Sequence, residues 1–237
     1  MPKSRFDFAH YIDHAVLHPT ATEKDLIEGC QIAAKYQVAS ICVKPCHVAK
    51  AVEYMQGSGV PVSTVIGFPH GGQKAEVKIF EAEQAIADGV TELDMVVNLG
   101  DVLPENWTSA GRDIAAVLKV CRAQNSLLKV IFENDFLPND HYKIELCRIC
   151  SDLGVDFVKT STGFGYTKQP NGFYQYLGAT EHDVALMRQH CPPEIGVKAS
   201  GGIRDLATLK RMVGLGATRI GTSSTAKMAS DFMQIDD

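Results

Sequence analysis

The sequence predicts a (β/α)8 barrel, and three observations carry that expectation. Short runs rich in Val, Ile and Leu alternate with amphipathic segments along the whole chain, eight such runs fit into 237 residues, and no G-x-G-x-x-G follows the first of them. Alternation implies a parallel sheet, and eight units in this length match a closed barrel, whereas an open doubly wound sheet would need fewer strands and a glycine fingerprint. Nucleotide binding is correspondingly disfavoured.

"YIDHAVL" opens the series, and "TEKDLIEGCQIAAKYQ" follows it as a helix that Thr22 and Asp25 can begin as a cap. "VASICVKP" and "PVSTVIGF" supply the second and third strands, and "AEVKIFEAEQAIADG" is a helix stopped by Gly89. "TELDMVVNL" and "LLKVIFE" are the fourth and fifth strands. In "DHYKIELCRICSDLG", Tyr142, Leu146, Ile149 and Leu153 recur at helical spacing before a stop at Gly154. "VDFVKTS", "IGVKAS" and "TRIGTS" complete the set, with Gly216 ending the helix between the last two. No composition shift marks a linker, so residues 1–237 read as one domain.

Composition narrows the partners. At 45% hydrophobic and 22% charged residues, the chain can bury a sizeable core. A formal charge of −5 with no Lys/Arg run argues against nucleic acid or an anionic membrane, leaving small molecules. No apolar stretch approaches a bilayer span, and "MPKSRFDFAHYIDH" lacks a signal-peptide pattern, so a cytoplasmic location is expected. Seven cysteines form an odd number in such a chain and are expected as reduced thiols. Cys147 and Cys150 have C-x-x-C spacing but lie within a helical pattern without a second ligand pair, so no metal or redox role is assigned to them.

Strand residues in a barrel point alternately to the lumen and to the helices. In the fourth strand Glu92, Asp94, Val96 and Asn98 share one parity, while Leu93, Met95 and Val97 form the helix-facing apolar set. The same test groups Lys129 with Ile131 and Glu133, Lys159 with Phe157 and Ser161, and Lys198 with Ser200. A lone internal lysine commonly just pairs with an acid, but several charges in one lumen cost several kcal/mol each unless paired or used. A lysine amine attacks a carbonyl only when deprotonated, so its pKa of about 10.4 must be brought down by burial or a neighbouring cation. Lys159 beside Lys198 meets that condition through mutual repulsion, and Asp94 can shuttle protons. Schiff-base chemistry is the expected outcome. The small residues of "KASGGIRD" and "RIGTSSTAK", just ahead of helices, can cradle an anion with exposed N–H groups.

"IDHAVLHPTAT", "ASICVKPCHV", "TVIGFPHG", "ELDMVVNLG", "LLKVIFEN", "DFVKTSTGFG", "VKASGGIR" and "TRIGTSS" together resemble the deoxyribose-phosphate aldolase family across residues 11–228. The resemblance implies a class I aldolase working without metal or cofactor, cleaving 2-deoxy-D-ribose 5-phosphate to D-glyceraldehyde 3-phosphate and acetaldehyde. It implies Lys159 as the Schiff-base lysine, Lys198 as the group perturbing it, and Asp94 as proton donor and acceptor. It further implies a substrate pocket of Asp13, Cys42, Lys129 and Thr162, with the phosphate held by Gly163, Gly201, Gly202, Ser223 and Ser224. By family analogy a homodimer is the expected assembly, while composition and helix pattern leave the oligomeric state open.

Several positions depart from that pattern. Ala15 stands where relatives carry Thr, and Lys44, on the lumen side by parity, is expected to pair with Glu133 or Asp13; an extra anion contact and altered substrate choice are the alternatives. An insert at about 166–178, "YTKQPNGFYQYLG", precedes the next helix; its Phe173, Tyr174, Tyr176 and Lys168 fit a lid, a substitute phosphate contact, a subunit contact or a surface ornament. The chain ends "SDFMQIDD", without the terminal tyrosine of some relatives. Two competing readings remain: a Schiff-base aldolase with another aldehyde or phosphosugar preference, and a non-catalytic phosphosugar-binding barrel.

Overall fold

The computed structural model describes residues 7–235; the ends of the expected domain span, residues 1–6 and 236–237, lie outside the described residues. Eight parallel strands close into a barrel: β1 (Ile12–Val16), β2 (Ser40–Val43), β3 (Val62–Ile66), β4 (Glu92–Val96), β5 (Leu127–Ile131), β6 (Phe157–Lys159), β9 (Gly196–Ser200) and β10 (Arg219–Thr222). Each falls within one of the eight runs read from the sequence. Two further short strands, β7 (Thr167–Lys168) and β8 (Tyr174–Gln175), pair antiparallel as a hairpin outside the barrel.

Helices connect the strands: α1 (Glu23–Tyr36), α2 (Val48–Tyr54), α3 (Ala75–Ala87), α4 (Leu99–Val102), α5 (Trp107–Ala123), α6 (Asp140–Leu153), α7 (Glu181–His190), α8 (Leu206–Gly214) and α9 (Thr225–Ile235). Thr22 and Asp25 form a reciprocal capping box at the start of α1, so two N–H groups that the helix cannot satisfy find side-chain oxygens. At the other end of α6, Gly154 takes φ +70°, a left-handed conformation that closes the helix.

The main hydrophobic cluster is the annulus between strands and helices, and it takes Leu93, Met95 and Val97 from the fourth strand region, the set assigned to it by parity. Cys42, Val65, Val96 and Ile131 are buried but stand outside that cluster, lining the lumen instead. Apolar burial at about 25 cal/mol per Å² holds the annulus together, which leaves the lumen free to carry charge.

Parity fails where strands end. Asn98 lies beyond β4, and its side chain caps α4 by accepting from the Gly100 N–H at 3.0 Å. Lys44 lies beyond β2, where the chain turns into the 3-10 helix Pro45–His47. Its Nζ donates to the carbonyls of Ala21 at 2.7 Å and Pro19 at 3.3 Å, so the expected pair with Glu133 or Asp13 is replaced by a brace on the β1–α1 loop. No helix of the described residues is long and apolar enough to cross a membrane. All seven cysteines are free thiols, and Cys147 and Cys150 are buried in α6.

Candidate active site

Strand register brings the lumen charges together. Asp94 pairs with Lys129 across β4 and β5, and Lys159 with Lys198 across β6 and β9, while Arg219 lies beside Lys198 on β10. Lys159 Nζ and Lys198 Nζ both donate to Asp94 Oδ2, each at 2.7 Å. Lys198 also reaches Asp13 Oδ2 at 2.5 Å. Lys129 touches Glu92 at 2.7 Å, Asp94 Oδ1 at 2.8 Å and Asp13 at 3.2 Å. Arg219 contacts Asp13 at 2.5 Å and Glu92 at 3.1 Å, and its guanidinium lies over the Phe157 ring at 5.1 Å. Gly221 makes room for this packing, since a Cβ there would come within 2.8 Å of Ser200 Cβ and 3.3 Å of Lys198 Cε.

Within this network four cations (Lys129, Lys159, Lys198, Arg219) face three carboxylates (Asp13, Glu92, Asp94), so with every acid ionised one cation lacks a counter-charge. Lys159 has a single carboxylate contact where the other three have two or more. It is therefore the cheapest to deprotonate. Burial lowers its pKa below the ordinary lysine value, Asp94 opposes, and Lys198 adds repulsion. The repulsion expected from sequence is present but ranks behind burial. For Lys198 burial also lowers, yet Asp13 and Asp94 outweigh it and the amine stays protonated, its pKa raised. Lys129 is raised in the same way by Asp13, Asp94 and Glu92 against burial. Burial would raise Asp94, but Lys129, Lys159 and Lys198 hold it well below the usual carboxylate range.

Above this network opens a cavity of about 570 Å³. Asp13, Cys42, Lys159 and Lys198 reach it from below, and Ala15 borders it. Thr162, Gly163, Gly201, Gly202 and Ser223 form the glycine-rich side. Asp94 and Lys129 are fully buried beneath and do not border the cavity. Ser224 does not border it either; its N–H is taken by Thr222 Oγ1 at 3.0 Å. Thr162 is held by Glu133, which accepts from its hydroxyl and, at 3.2 Å, from its N–H. Burial raises the Glu133 pKa despite those hydrogen bonds.

Arg204 borders the cavity and was not read as a pocket residue from the sequence, whereas Tyr166 and Tyr176, candidates there for a group at the catalytic mouth, border it as well, and Tyr174 does not. Arg204 stands two residues beyond Gly202 in "SGGIRD", a legible signal for a basic group beside an anion loop. The tyrosines come from the insert, whose ends bring their rings together edge to face at 5.2 Å. One cluster of metal-type donors, Asp140, His182 and Asp183, lies at the α6–α7 surface, and Lys143 already bridges its two aspartates at 3.1 and 2.5 Å.

A closed barrel that buries a lysine pair on one aspartate beneath an open cavity is the architecture of a barrel enzyme built for carbonyl chemistry. The chain belongs to the DeoC/LacD family of aldolases, whose pattern matches residues 8–224, and it is accordingly a lyase. It is 47% identical to the deoxyribose-phosphate aldolase of Rhodopirellula baltica, with 95% of this chain and 89% of that one covered. Among solved structures it is similar to QR15, an aldolase, at 36% identity and TM-score 0.87, with 98% of both chains covered. The tetrameric deoxyribose phosphate aldolase of Aeropyrum pernix matches at 33% identity and TM-score 0.85, covering 96% of this chain and 92% of that one.

Proposed function

We propose that this chain reversibly cleaves 2-deoxy-D-ribose 5-phosphate to D-glyceraldehyde 3-phosphate and acetaldehyde through a Schiff base on Lys159. The observation that carries the reading is the asymmetric lysine pair: two amines on one oxygen of Asp94, with only Lys159 lowered below the ordinary lysine value.

Lys159 Nζ adds to the C1 aldehyde of the open-chain sugar, and loss of water from the carbinolamine gives a protonated imine. Asp94, fed by Lys198, accepts and returns protons in that step. The iminium draws the electrons of the C2–C3 bond as the C3 hydroxyl loses its proton, releasing glyceraldehyde 3-phosphate and leaving an enamine. Protonation at carbon and hydrolysis then free acetaldehyde and Lys159. The phosphate end lies against Gly163, Gly201, Gly202 and Ser223 in this reading, with Asp13, Cys42 and Thr162 shaping the pocket and Lys129 acting from beneath.

The test is to incubate the protein with acetaldehyde and borohydride and map the reduced adduct by mass spectrometry. An ethyl group on Lys159 is expected; its absence sinks the reading. A homodimer is the assembly inferred from the family resemblance, and light scattering checks it.

The insert and Ala15, both on the cavity wall, favour as second reading a related aldolase with another phosphosugar preference. Comparing turnover of 2-deoxyribose 5-phosphate with that of other phosphorylated aldoses separates the two.

A further inference from the structure

We propose that Tyr176, carried by the insert, is a specificity residue for the phosphate end of the substrate, acting with Arg204 as a two-group clamp. The inference rests on the aldolase reading above and goes beyond it by assigning a binding role to the insert. Arg204 borders the cavity beside Gly202 and Ser223, and among the described residues no carboxylate lies within ion-pair distance of it. Its guanidinium donates to Tyr176 Oη at 3.5 Å. With its oxygen accepting from Arg204, the phenol keeps its own O–H to donate into the cavity. An uncompensated guanidinium and a free hydroxyl donor on one wall match the oxygens of a phosphomonoester.

The position of Tyr176 is fixed by the residues after it. The N–H of Leu177 donates to Asp135 Oδ1 at 2.6 Å and that of Gly178 to Asp135 Oδ2 at 3.0 Å. Ala179 N–H donates to the Gly201 carbonyl at 3.1 Å. Gly178 has φ +69°, and a Cβ there would stand 2.5 Å from the Gly201 oxygen, so the insert is seated on the turn that leads to Arg204 as closely as backbone allows. Tyr166 closes the other side with its ring against Tyr176. The remaining large insert side chains, Phe173, Tyr174 and Leu177, face solvent at 65–70% exposure and do not border the cavity, whereas Tyr176 is half-buried on its wall.

The experiment compares the wild type with Tyr176→Phe on 2-deoxyribose 5-phosphate and on unphosphorylated 2-deoxyribose, with inorganic phosphate as competitive inhibitor. Loss of one hydrogen bond to a charged group predicts about a tenfold rise in KM for the phosphorylated sugar and a similar rise in the phosphate inhibition constant, with kcat within about twofold. KM for unphosphorylated 2-deoxyribose stays unchanged. In an Arg204→Gln background the effect of Tyr176→Phe shrinks, because the two groups act on the same oxygens. Equal changes for both sugars, or no change for either, would overturn the clamp. Acetaldehyde trapping on wild-type Lys159 involves no phosphate, so its failure sinks the aldolase reading and leaves inorganic phosphate binding, measured by calorimetry on the wild type and Tyr176→Phe, to judge the clamp.

Discussion

Lys159 and Lys198 donate to the same oxygen of Asp94, each at 2.7 Å, yet their pKa values move in opposite directions. The difference lies in Asp13, which reaches Lys198 at 2.5 Å and has no contact with Lys159. Removing the amine from Lys159 (Lys159→Met) removes the proposed nucleophile, and turnover is expected to fall by roughly three orders of magnitude or more. Asp94→Asn leaves that amine but removes the proposed proton acceptor, an expected loss of about 10²–10⁴ in kcat. Steady-state kinetics on folded variants checks both.

The pH profile follows from the same pair. As the proposed nucleophile Lys159 reacts when neutral, so kcat/KM is expected to fall as pH drops through its pKa, which burial and Lys198 keep below the ordinary 10.5. Lys198→Gln removes the like charge, so the Lys159 pKa rises and the acid limb of kcat/KM moves to higher pH. A limb that stays in place or moves down would contradict the assigned repulsion.

Lys129 offers a test on stability. It is fully buried and touches Asp13, Glu92 and Asp94 at once, so Lys129→Met strands carboxylates beneath the cavity. Breaking a buried ion pair from one side costs roughly 3–5 kcal/mol, and urea unfolding is expected to report a loss of that size.

His14 predicts an acid limit to stability. It is buried, its Nδ1 is 2.9 Å from Thr225 Oγ1, and burial lowers its pKa from 6.5 to about 4. A base with a depressed folded pKa costs nothing above 6.5. As pH falls from 6.5 towards 4 the unfolded chain takes up a proton that the folded chain refuses, so stability drops, by about 3 kcal/mol once pH is below 4. Thermal melts of His14→Gln at pH 7 and pH 4.5 are expected to show a smaller drop than the wild type.

Gly178→Ala tests the seating of the insert. The left-handed backbone and the 2.5 Å approach to the Gly201 oxygen leave no space for a methyl group, so a cost of about 1–3 kcal/mol is expected, measured by thermal melting.

The barrel was legible because β-branched runs and helical spacing repeat eight times, and Asp94, Lys129, Lys159 and Lys198 were legible because strand parity aims them inward. Lys44 and Asn98 were misread for one shared reason: both lie past the last paired residue of their strands, where alternation no longer governs direction. Arg219 went unassigned although it shares parity with Gly221, since only the register of β10 against β9 reveals that it meets Glu92 and Asp13. The hairpin was read as an insert but not as strands, because two-residue strands around Pro170, Asn171 and Gly172 are too short to show period two.

The odd tally of charges in the lumen means that the charge state of Lys159 is set by the whole group of buried ions as well as by its own burial. Arg219, bound to Asp13 and Glu92, is one of the four cations in that tally, so the charge balance reaches beyond the groups that border the cavity. A redesign of the barrel interior therefore has to conserve the balance of buried charges as strictly as it conserves shape.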